Sequence, residues 1–244
     1  MPDQNSAPFP TNDRVESTRN HILSQLPKEQ YERLLPFLEP VPLNHGACIY
    51  RPEERIEHVY FPIGGMISVT AILEDGKTVE IGTVGKEGMA GIDVVLGVDH
   101  SPHESIVQIP GSALRMKTDV VRSEFKQCGE LQDLLLRYSH ALLIHASQAG
   151  VCNRAHTVEQ KLATWLMIAR DRVESDYLPL TQEFIAQMLG VNRPTVSTTA
   201  FKFQSEGVIE YSRGKIHIVD PKGLENLACE CYQMIKGEYA HLRA

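Results

Sequence analysis

Apolar residues first recur at helical spacing and then change to short alternating stretches. From His21 to Leu38 they lie mostly three or four residues apart, and Pro27 and Pro40 are placed to start and to end a second helix. Between Cys48 and Met116 the chain reads CIY, HVYF, MISVTAIL, TVEIGTV, SIVQI and ALRM, with the turn sequences PIGG, EDGK, GKEG and PGS between them. This pattern predicts two helices followed by a small antiparallel β-roll.

A heptad pattern runs through the helical stretch that follows Lys117. Its positions are separated alternately by four and three residues: Leu131, Leu135, Tyr138, Leu142, His145, Ala149 and Cys152. Such spacing is typical of a helix that pairs with a like helix, so this predicted seam indicates a homodimer. The alternative is that so short a seam packs against the chain's own β-roll.

The segment NRAH at residues 153–156 interrupts the helical pattern and is a candidate hinge. A second helix, from about Thr157 to Val173, turns its apolar side chains toward a different core. The predicted fold class is α+β, with four segments: a poorly ordered tail at 1–20, a β-roll domain with flanking helices at 21–128, a dimerisation helix and hinge at 129–155, and a C-terminal domain at 156–244.

The stretch TQEFIAQMLGVNRPTVSTTAFKF, residues 181–203, contains two helical patterns around a glycine break. Thr181 is a suitable N-cap for the first helix, and Asn192 can cap the second, whose first turn tolerates Pro194. Gly190 can adopt the left-handed conformation that ends the first helix. The inward positions of the second helix are Val196, Ala200 and Phe203. Together these features predict a helix-turn-helix with a recognition helix at about 192–206.

The recognition helix carries polar side chains on its outward face. Arg193, Ser197 and Thr198 lie in its first turns, which enter the major groove in such motifs. Arginine can make a bidentate contact to guanine, and serine or threonine can reach base edges or phosphates. Lys202, further along, is a candidate phosphate contact. The alternative is a solvated helix pair with ordinary surface charge.

The segment GVIEYSRGKIHIVD reads as two short strands around a turn, a wing whose Arg213 and Lys215 would meet DNA phosphate. A formal net charge of −7 excludes a uniformly basic surface, so any DNA-binding face must be local. Residues 192–217 carry four basic residues against two acidic ones. The charge distribution therefore favours this segment as the DNA-binding face.

Other functional classes find little support in the sequence. The N-terminus lacks the pattern of a secretory signal and no apolar run is long enough for a bilayer, so we expect a cytoplasmic protein without membrane contact. The five cysteines are odd in number and scattered, which favours reduced thiols. No nucleophile elbow, phosphate-binding glycine loop or HExxH motif occurs in the sequence, so we do not expect an enzyme.

The stretch LPLTQEFIAQMLGVNRPTVSTTAFKFQSEGVIEYSRGKIHIVD resembles the winged helix-turn-helix of the Crp/Fnr family of bacterial transcription regulators. The order of β-roll, long helix, hinge and winged domain extends this resemblance over nearly the whole chain, and it implies that the β-roll at 21–128 is an effector domain. It implies a homodimer on double-stranded DNA that reads a pseudo-palindromic site with half-sites about one helical turn (~34 Å) apart. RNA polymerase is a further candidate partner.

Individual positions of the winged domain carry the resemblance further. Arg193 matches the family's guanine-reading arginine, and Thr181 with Gln182 matches phosphate-contacting positions. Pro194 and Thr198 stand where many members have glutamate and arginine, so the usual family consensus site is not expected.

The resemblance is weaker in the effector pocket, which would comprise Gly88, Gly91, His103, Glu104 and Ser147. His103 and Glu104 stand where cyclic-nucleotide-binding members have the arginine and serine that hold the cyclic phosphate. A carboxylate repels phosphate and a neutral histidine replaces a guanidinium poorly. Cyclic AMP is therefore disfavoured, and no cofactor is evident. The alternative function is a small-molecule-binding module, for a cyclic nucleotide or another ligand, that does not read DNA.

Histidines and cysteines offer few further sites. His145 could meet its two-fold mate as a pH switch or a metal or haem ligand, although simple packing is the alternative. Cys152 could oxidise across a dimer, and Cys229 with Cys231 is a weak redox hint. We predict no metal site: an iron–sulfur cluster lacks its N-terminal cysteines, and the HSPH histidines at 100 and 103 read as a surface loop.

Overall fold

The computed structural model describes residues 19–74, 76 and 78–243. Residues 1–18 of the predicted tail lie outside the described residues. Asn20, at the end of that segment, is fully buried and caps the first helix by accepting hydrogen bonds from the Ile22 and Leu23 amides. Its amide group also donates to the carbonyls of Pro62 and Gly88, 3.0 and 2.9 Å away. The ordered fold therefore includes Asn20, contrary to the predicted boundary.

Within the described residues, two helices precede the sheet, as the apolar spacing predicts. They are α1 (His21–Ser24) and α2 (Lys28–Leu34), and a 3-10 turn at Leu35–Phe37 follows. Pro27 is the N-cap of α2, with φ of −53° and ψ of 145°. Pro40 was predicted to end this helix, but α2 already ends at Leu34 and the 3-10 turn at Phe37, so Pro40 lies in the first strand.

The β-roll is a five-stranded antiparallel sheet. Its strands are β1 (Glu39–Leu43), β2 (Cys48–Tyr50), β3 (His58–Ile72), β4 (Thr78–Val84) and β5 (Glu104–Lys117). The order is β1-β5-β3-β4, and β2 also pairs with β5. A 3-10 turn at Ile92–Val94 lies in the β4–β5 connection. The prediction of an antiparallel roll is confirmed.

Two of the predicted turns lie inside long strands. The PIGG segment is part of β3, where the pairing with β5 shifts register between Pro62 and Gly64 and again between Gly64 and Met66. The PGS segment lies opposite, within β5. The prediction of turns was wrong here because glycine and proline also mark β-bulges, which bend paired strands without ending them.

Three helices connect the roll to the C-terminal region: α3 (Thr118–Phe125), α4 (Glu130–Ala155) and α5 (Val158–Val173). Of the predicted hinge at 153–156, residues 153–155 continue α4, and only His156 lies outside it, with an extended conformation. Thr157 then starts α5 through a capping box with Gln160. No helix in the described part of the chain is long and apolar enough to cross a membrane.

The predicted seam on α4 is wrong as a dimer surface because most of it is buried within this chain. Leu131, Leu135 and Tyr138 are at most 1% exposed, and His145 and Cys152 are buried as well. Leu142 and Ala149 are half-buried. The ring of Tyr138 packs beside Gly88 of the roll and lies 6.3 Å from the ring of Tyr239. The heptad spacing therefore results from packing of α4 against the β-roll and Tyr239 of the same chain. Packing against the chain's own β-roll was the alternative interpretation.

The C-terminal region contains a small three-stranded sheet and four helices among the described residues. Its elements are β6 (Tyr177–Leu178), α6 (Gln182–Leu189), α7 (Arg193–Ser205), β7 (Ile209–Ser212), β8 (Lys215–Ile218), α8 (Pro221–Leu227) and α9 (Glu230–Ala240). The sheet order is β6-β8-β7, with antiparallel pairing throughout. A 3-10 turn at His241–Arg243 follows α9.

Buried polar contacts join α5 to the roll. The Trp165 indole N–H donates to Glu80 Oε1 at 2.6 Å. Arg172 forms a buried ion pair with Glu87, 3.2 Å from Nε to Oε1, and its guanidinium lies 3.9 Å from the centre of the Tyr239 ring. Because a buried charge is costly without its partner, the Arg172–Glu87 pair ties α5 firmly to the loop after β4.

Candidate nucleic-acid interface

The turn between α6 and α7 has the geometry that the sequence predicts. Thr181 caps α6 by accepting a hydrogen bond from the Phe184 amide at 3.2 Å. Gly190 ends the helix with φ of +63°, and the Val191 amide donates back to the Ala186 carbonyl at 2.9 Å. Such a left-handed residue turns the chain sharply after a helix and satisfies its last carbonyls.

The second helix is fixed at its start and along its inner face. Asn192 Oδ1 accepts hydrogen bonds from the amide and hydroxyl of Thr195 at 2.9 and 2.6 Å. Val196 and Phe203 are fully buried and Ala200 nearly so. The inner face therefore sets the rotation of α7, which determines the side chains that its outer face presents.

The predicted base-reading residues lie on the exposed side of α7. Arg193, Ser197 and Thr198 are all exposed in its first two turns. The Thr198 hydroxyl donates to the Pro194 carbonyl at 3.1 Å, leaving its oxygen as an acceptor. The structure therefore brings these three side chains to one surface, with a guanidinium at its N-terminal end.

Lys202 lies on the same helix but forms an ion pair. Its Nζ is 2.6 Å from Glu159 Oε2 on α5, and this carboxylate raises the pKa of the lysine. Both side chains are nearly half exposed, so the pair is open to water and to competing anions. Lys202 would have to exchange this carboxylate for a phosphate in order to contact DNA.

The wing is a tight hairpin beside the start of α6. Ser212 pairs with Lys215 across a two-residue loop, in which Arg213 and Gly214 have φ of +49° and +76°. Two positive φ values characterise the type I′ turn that suits a hairpin. A Cβ added at Gly214 would lie 3.3 Å from Thr181 Cγ2, so the wing tip lies against the first residue before α6.

This hairpin groups the predicted phosphate contacts. Arg213 and Lys215 are exposed at its tip, and Thr181 is exposed beside it. Gln182 is half-buried, and its backbone amide donates to the Tyr211 hydroxyl at 3.2 Å. Gln182 thus joins the start of α6 to the wing through its backbone, which leaves its side chain as the candidate phosphate donor.

Sequence reasoning missed Phe201 on the outer face of α7. Its ring is 73% exposed, and it follows Arg193 and Ser197 at intervals of four residues on one helical stripe. An exposed phenylalanine there can make apolar contact with a thymine methyl group or with the DNA sugars. Its signal in the sequence was an apolar residue at a position that the helical period places outside the core.

The predicted effector residues do not line the larger described cavity. That cavity, about 430 Å³ in volume, lies between the loop after β4, α5 and α9, and Glu87, Arg172 and Tyr239 are among its lining residues. Tyr138 fills the space beside Gly88. Gly91 has φ of +89°, and a Cβ added there would lie 2.6 Å from the Tyr50 hydroxyl oxygen. His103 and Glu104 are half-buried, and Ser147 is exposed on α4.

His145 is a packed residue within one chain. Its ring meets the Tyr239 ring edge-on at 6.0 Å, with Nδ1 3.4 Å from the tyrosine oxygen. Burial, with a smaller effect of the Arg172 charge, lowers the pKa of His145 to about 3. His145 is therefore neutral at physiological pH and packs within its own chain, which was the alternative interpretation.

The sequence predictions treated Cys152 separately from Cys229 and Cys231. In the structure Cys152 and Cys229 are in contact within one chain, their sulfurs 3.6 Å apart, and Cys231 is buried beside them. Cys152 therefore faces its own chain and not a partner. Their separation by 77 positions in sequence concealed this cluster.

Comparisons with known proteins agree with both halves of this architecture. The family model of the cyclic nucleotide-binding domain matches residues 40–128, and the model of the Crp-like helix-turn-helix domain matches residues 160–227. The nitrogen fixation regulation protein FixK of Bradyrhizobium diazoefficiens is 25% identical over 199 residues, which cover 77% of this chain and 81% of that protein.

Solved structures share the fold. FixK2 from Bradyrhizobium japonicum superposes with a TM-score of 0.68 at 18% identity, over 79% of this chain and 98% of that one. A putative transcriptional regulator of the Crp/Fnr family from Eubacterium rectale gives 0.65 at 16% identity, over 86% and 98%. The two matched domains, in this order and with this fold, show that the chain belongs to the Crp/Fnr family of DNA-binding transcriptional regulators.

Proposed function

We propose that this chain is a homodimeric, sequence-specific regulator whose α7 enters the major groove of a pseudo-palindromic DNA site. The observation that carries this proposal is the exposed triplet Arg193, Ser197 and Thr198 on a helix capped by Asn192. The N-terminal turns of such a helix reach base edges, while side chains near the wing hold the phosphates. Arg193 is the candidate for a bidentate contact to guanine.

Homodimerisation would use the side of α4 opposite the buried seam. An outward stripe, defined as Leu136, His140, Leu143, Ser147 and Gly150, is exposed along this helix with separations of four, three, four and three residues. Leu143 is 63% exposed and Leu136 is 48% exposed. Leu136 and Leu143, one heptad apart, support a paired helix, and Gly150 leaves room for close approach.

We further propose that the effector is not cyclic AMP. Glu104 would bring a carboxylate to the cyclic phosphate, and the Tyr138 ring already packs beside Gly88. An effector of other chemistry would act by shifting a two-state equilibrium in the packing of α4 and α5 against the roll.

Selection of bound duplexes from random oligonucleotides tests this function directly. The purified full-length chain should enrich a two-fold symmetric sequence with half-sites about one helical turn (~34 Å) apart. The same sequence should emerge with and without cyclic AMP. Enrichment of no sequence at moderate ionic strength would contradict DNA reading, whereas enrichment only with cyclic AMP would contradict the effector proposal alone.

A further inference from the structure

Three cysteines and one histidine converge at the point where α4, α5 and α9 meet. The ligand atoms of Cys152, His156, Cys229 and Cys231 all lie within 4.8 Å of one another. The two sulfurs of Cys152 and Cys229 are 3.6 Å apart, and Cys231 Sγ is 3.5 Å from His156 Nδ1. All three sulfurs are buried.

The fold supplies these side chains from two distant segments. Cys152 lies in the last turn of α4, and His156 is the residue that ends this helix before α5 begins. Cys229 is the N-cap of α9, and Cys231 lies in its first turn. The cluster therefore connects the hinge between α4 and α5 to the helix that follows the winged domain.

Two of the ligand–ligand distances already match those around a single tetrahedral ion. With zinc bonds of about 2.3 Å to sulfur and about 2.0 to 2.1 Å to nitrogen, neighbouring ligand atoms stand about 3.5 to 3.8 Å apart. The sulfur–sulfur and sulfur–nitrogen distances of 3.6 and 3.5 Å fall in this range. A disulfide would instead bring two sulfurs to about 2.0 Å.

Neighbouring groups orient the ligands as they do around structural zinc. His156 offers Nδ1 to the cluster while Nε2 lies 3.3 Å from Glu230 Oε1, and such carboxylates fix the histidine tautomer that binds metal. The Gln148 side-chain amide donates to Cys231 Sγ at 3.1 Å. The Thr164 hydroxyl lies 3.1 Å from Cys229 Sγ and accepts a hydrogen bond from the Cys229 amide.

We propose that Cys152, His156, Cys229 and Cys231 form a Cys₃His zinc site that fixes the hinge against α9. Four protein ligands leave no open position, which is the arrangement of structural rather than catalytic zinc. A four-iron cluster is less suited, because each of its ligands binds a different iron and the set would have to spread apart.

Ionisation of these buried thiols requires a cation. Burial, together with the adjacent sulfurs, raises the pKa of the Cys152 thiol, so thiolates at this spacing need the charge of a cation. Binding releases the thiol protons to solvent and leaves the metal oxidation state unchanged. Loss of the ion would remove one connection between the hinge and α9, while the packing of Tyr239 against Tyr138 and Arg172 would remain.

Metal analysis of the full-length chain tests the proposal without DNA, so its outcome is independent of the proposed function. After purification under reducing conditions with zinc supplied, we expect inductively coupled plasma mass spectrometry to detect about one zinc ion per chain. Cys231→Ser should lose most of this zinc. Cys128→Ser, which changes an exposed cysteine outside the cluster, should retain it.

A second measurement does not depend on folding of the variants. Cobalt(II) added to the metal-free wild-type chain should give the visible and thiolate charge-transfer bands of a tetrahedral sulfur-rich site, and zinc should bleach them. Absence of both zinc and this spectrum would overturn the proposal. A chain that contains acid-labile sulfide, or one that forms a Cys152–Cys229 disulfide despite available zinc, would overturn it as well.

Discussion

Arg193 is positioned by the residue before it rather than by its own contacts. Asn192 caps α7, so the first helical residue leaves the turn in a fixed direction and its side chain lies exposed at the helix start. A guanidinium held there can form two parallel hydrogen bonds to guanine, whereas an ammonium can act only as a point charge.

Arg193→Ala should therefore weaken binding to the selected duplex by roughly 1 to 3 kcal/mol and relax preference at one base pair in each half-site. Competition binding against duplexes altered at single positions measures both effects. Arg193→Lys is the matched control, since it retains the charge and should lose preference while keeping more of the affinity. Equal loss on every duplex would assign Arg193 to phosphate contact instead.

Glu80 is a second residue whose chemistry is set by its surroundings. Burial raises the pKa of its carboxyl from 4.5 to about 7, although hydrogen bonds from Ser68 and Trp165 and the charge of Arg172 act in the opposite direction. Because the folded chain holds this proton more tightly than the unfolded chain, the stabilising contribution is complete below pH 4.5 and is lost as the pH rises through about 7.

The fluorescence of Trp165, the single tryptophan, should report this titration because its indole donates directly to Glu80. We expect an emission change with a midpoint at about pH 7, accompanied by falling stability to urea over the same range. Glu80→Gln should remove the transition, and Glu57→Gln, which changes an exposed glutamate of the roll, should leave it in place. An unchanged transition in Glu80→Gln would assign the titration to another group.

At the scale of elements, the wing is a separate hairpin whose charges lie at its tip. Lys215→Ala should lower affinity evenly across DNA sequences and reduce the slope of log affinity against log salt by about one unit. Binding isotherms at several salt concentrations give this slope. Lys28→Ala, an exposed lysine on α2, is the control and should leave the slope unchanged. A change in sequence preference with Lys215→Ala would contradict a phosphate role.

The helix-turn-helix and wing were predictable because their determinants are local. The caps Thr181 and Asn192, the left-handed Gly190 and the two-residue Arg213–Gly214 loop each act within a few residues of themselves. Local signals also gave the strands β2 and β4 with their observed bounds. They could not distinguish a bulge from a turn at Gly64, because this depends on whether the two arms stay paired to β5.

Long-range packing explains the other errors. A heptad stripe shows that a helix has an apolar face, but the partner of that face on α4 is supplied by Gly88 and Tyr239, far away in sequence. The same applies to Cys152 and Cys229. Spacing rules start from close pairs of ligands such as Cys229 with Cys231, but only the fold shows that Cys152 and His156 lie beside that pair.

At the scale of the whole molecule, α5 is held both by the roll and by the winged domain. It contacts the roll through Trp165 and Arg172, and the winged domain through the Glu159–Lys202 ion pair. A change in the roll can therefore reach α7 through one helix. Such coupling requires two conformations of the chain that differ in these contacts and that bind an effector with different affinities.

The proposed dimer depends on the outward stripe of α4, a surface that only the whole molecule can test. Leu143 is 63% exposed at the centre of this stripe, and in a pair of helices both copies of it would be buried at the interface. Leu143→Glu should therefore place two carboxylates together and yield a monomer. Sedimentation equilibrium measures the mass, and thermal unfolding should show that each chain remains folded, because Leu143 is outside the chain's own core.

Leu96→Glu is the matched control for that variant, since Leu96 is 56% exposed on the roll and should leave the dimer intact. The monomeric variant should also bind a duplex with two half-sites no more tightly than one with a single half-site, because the second α7 is no longer connected to the first. If Leu143→Glu remains a dimer, the pairing surface lies elsewhere than on the outward stripe, and the distance between half-sites would have to be set by another element.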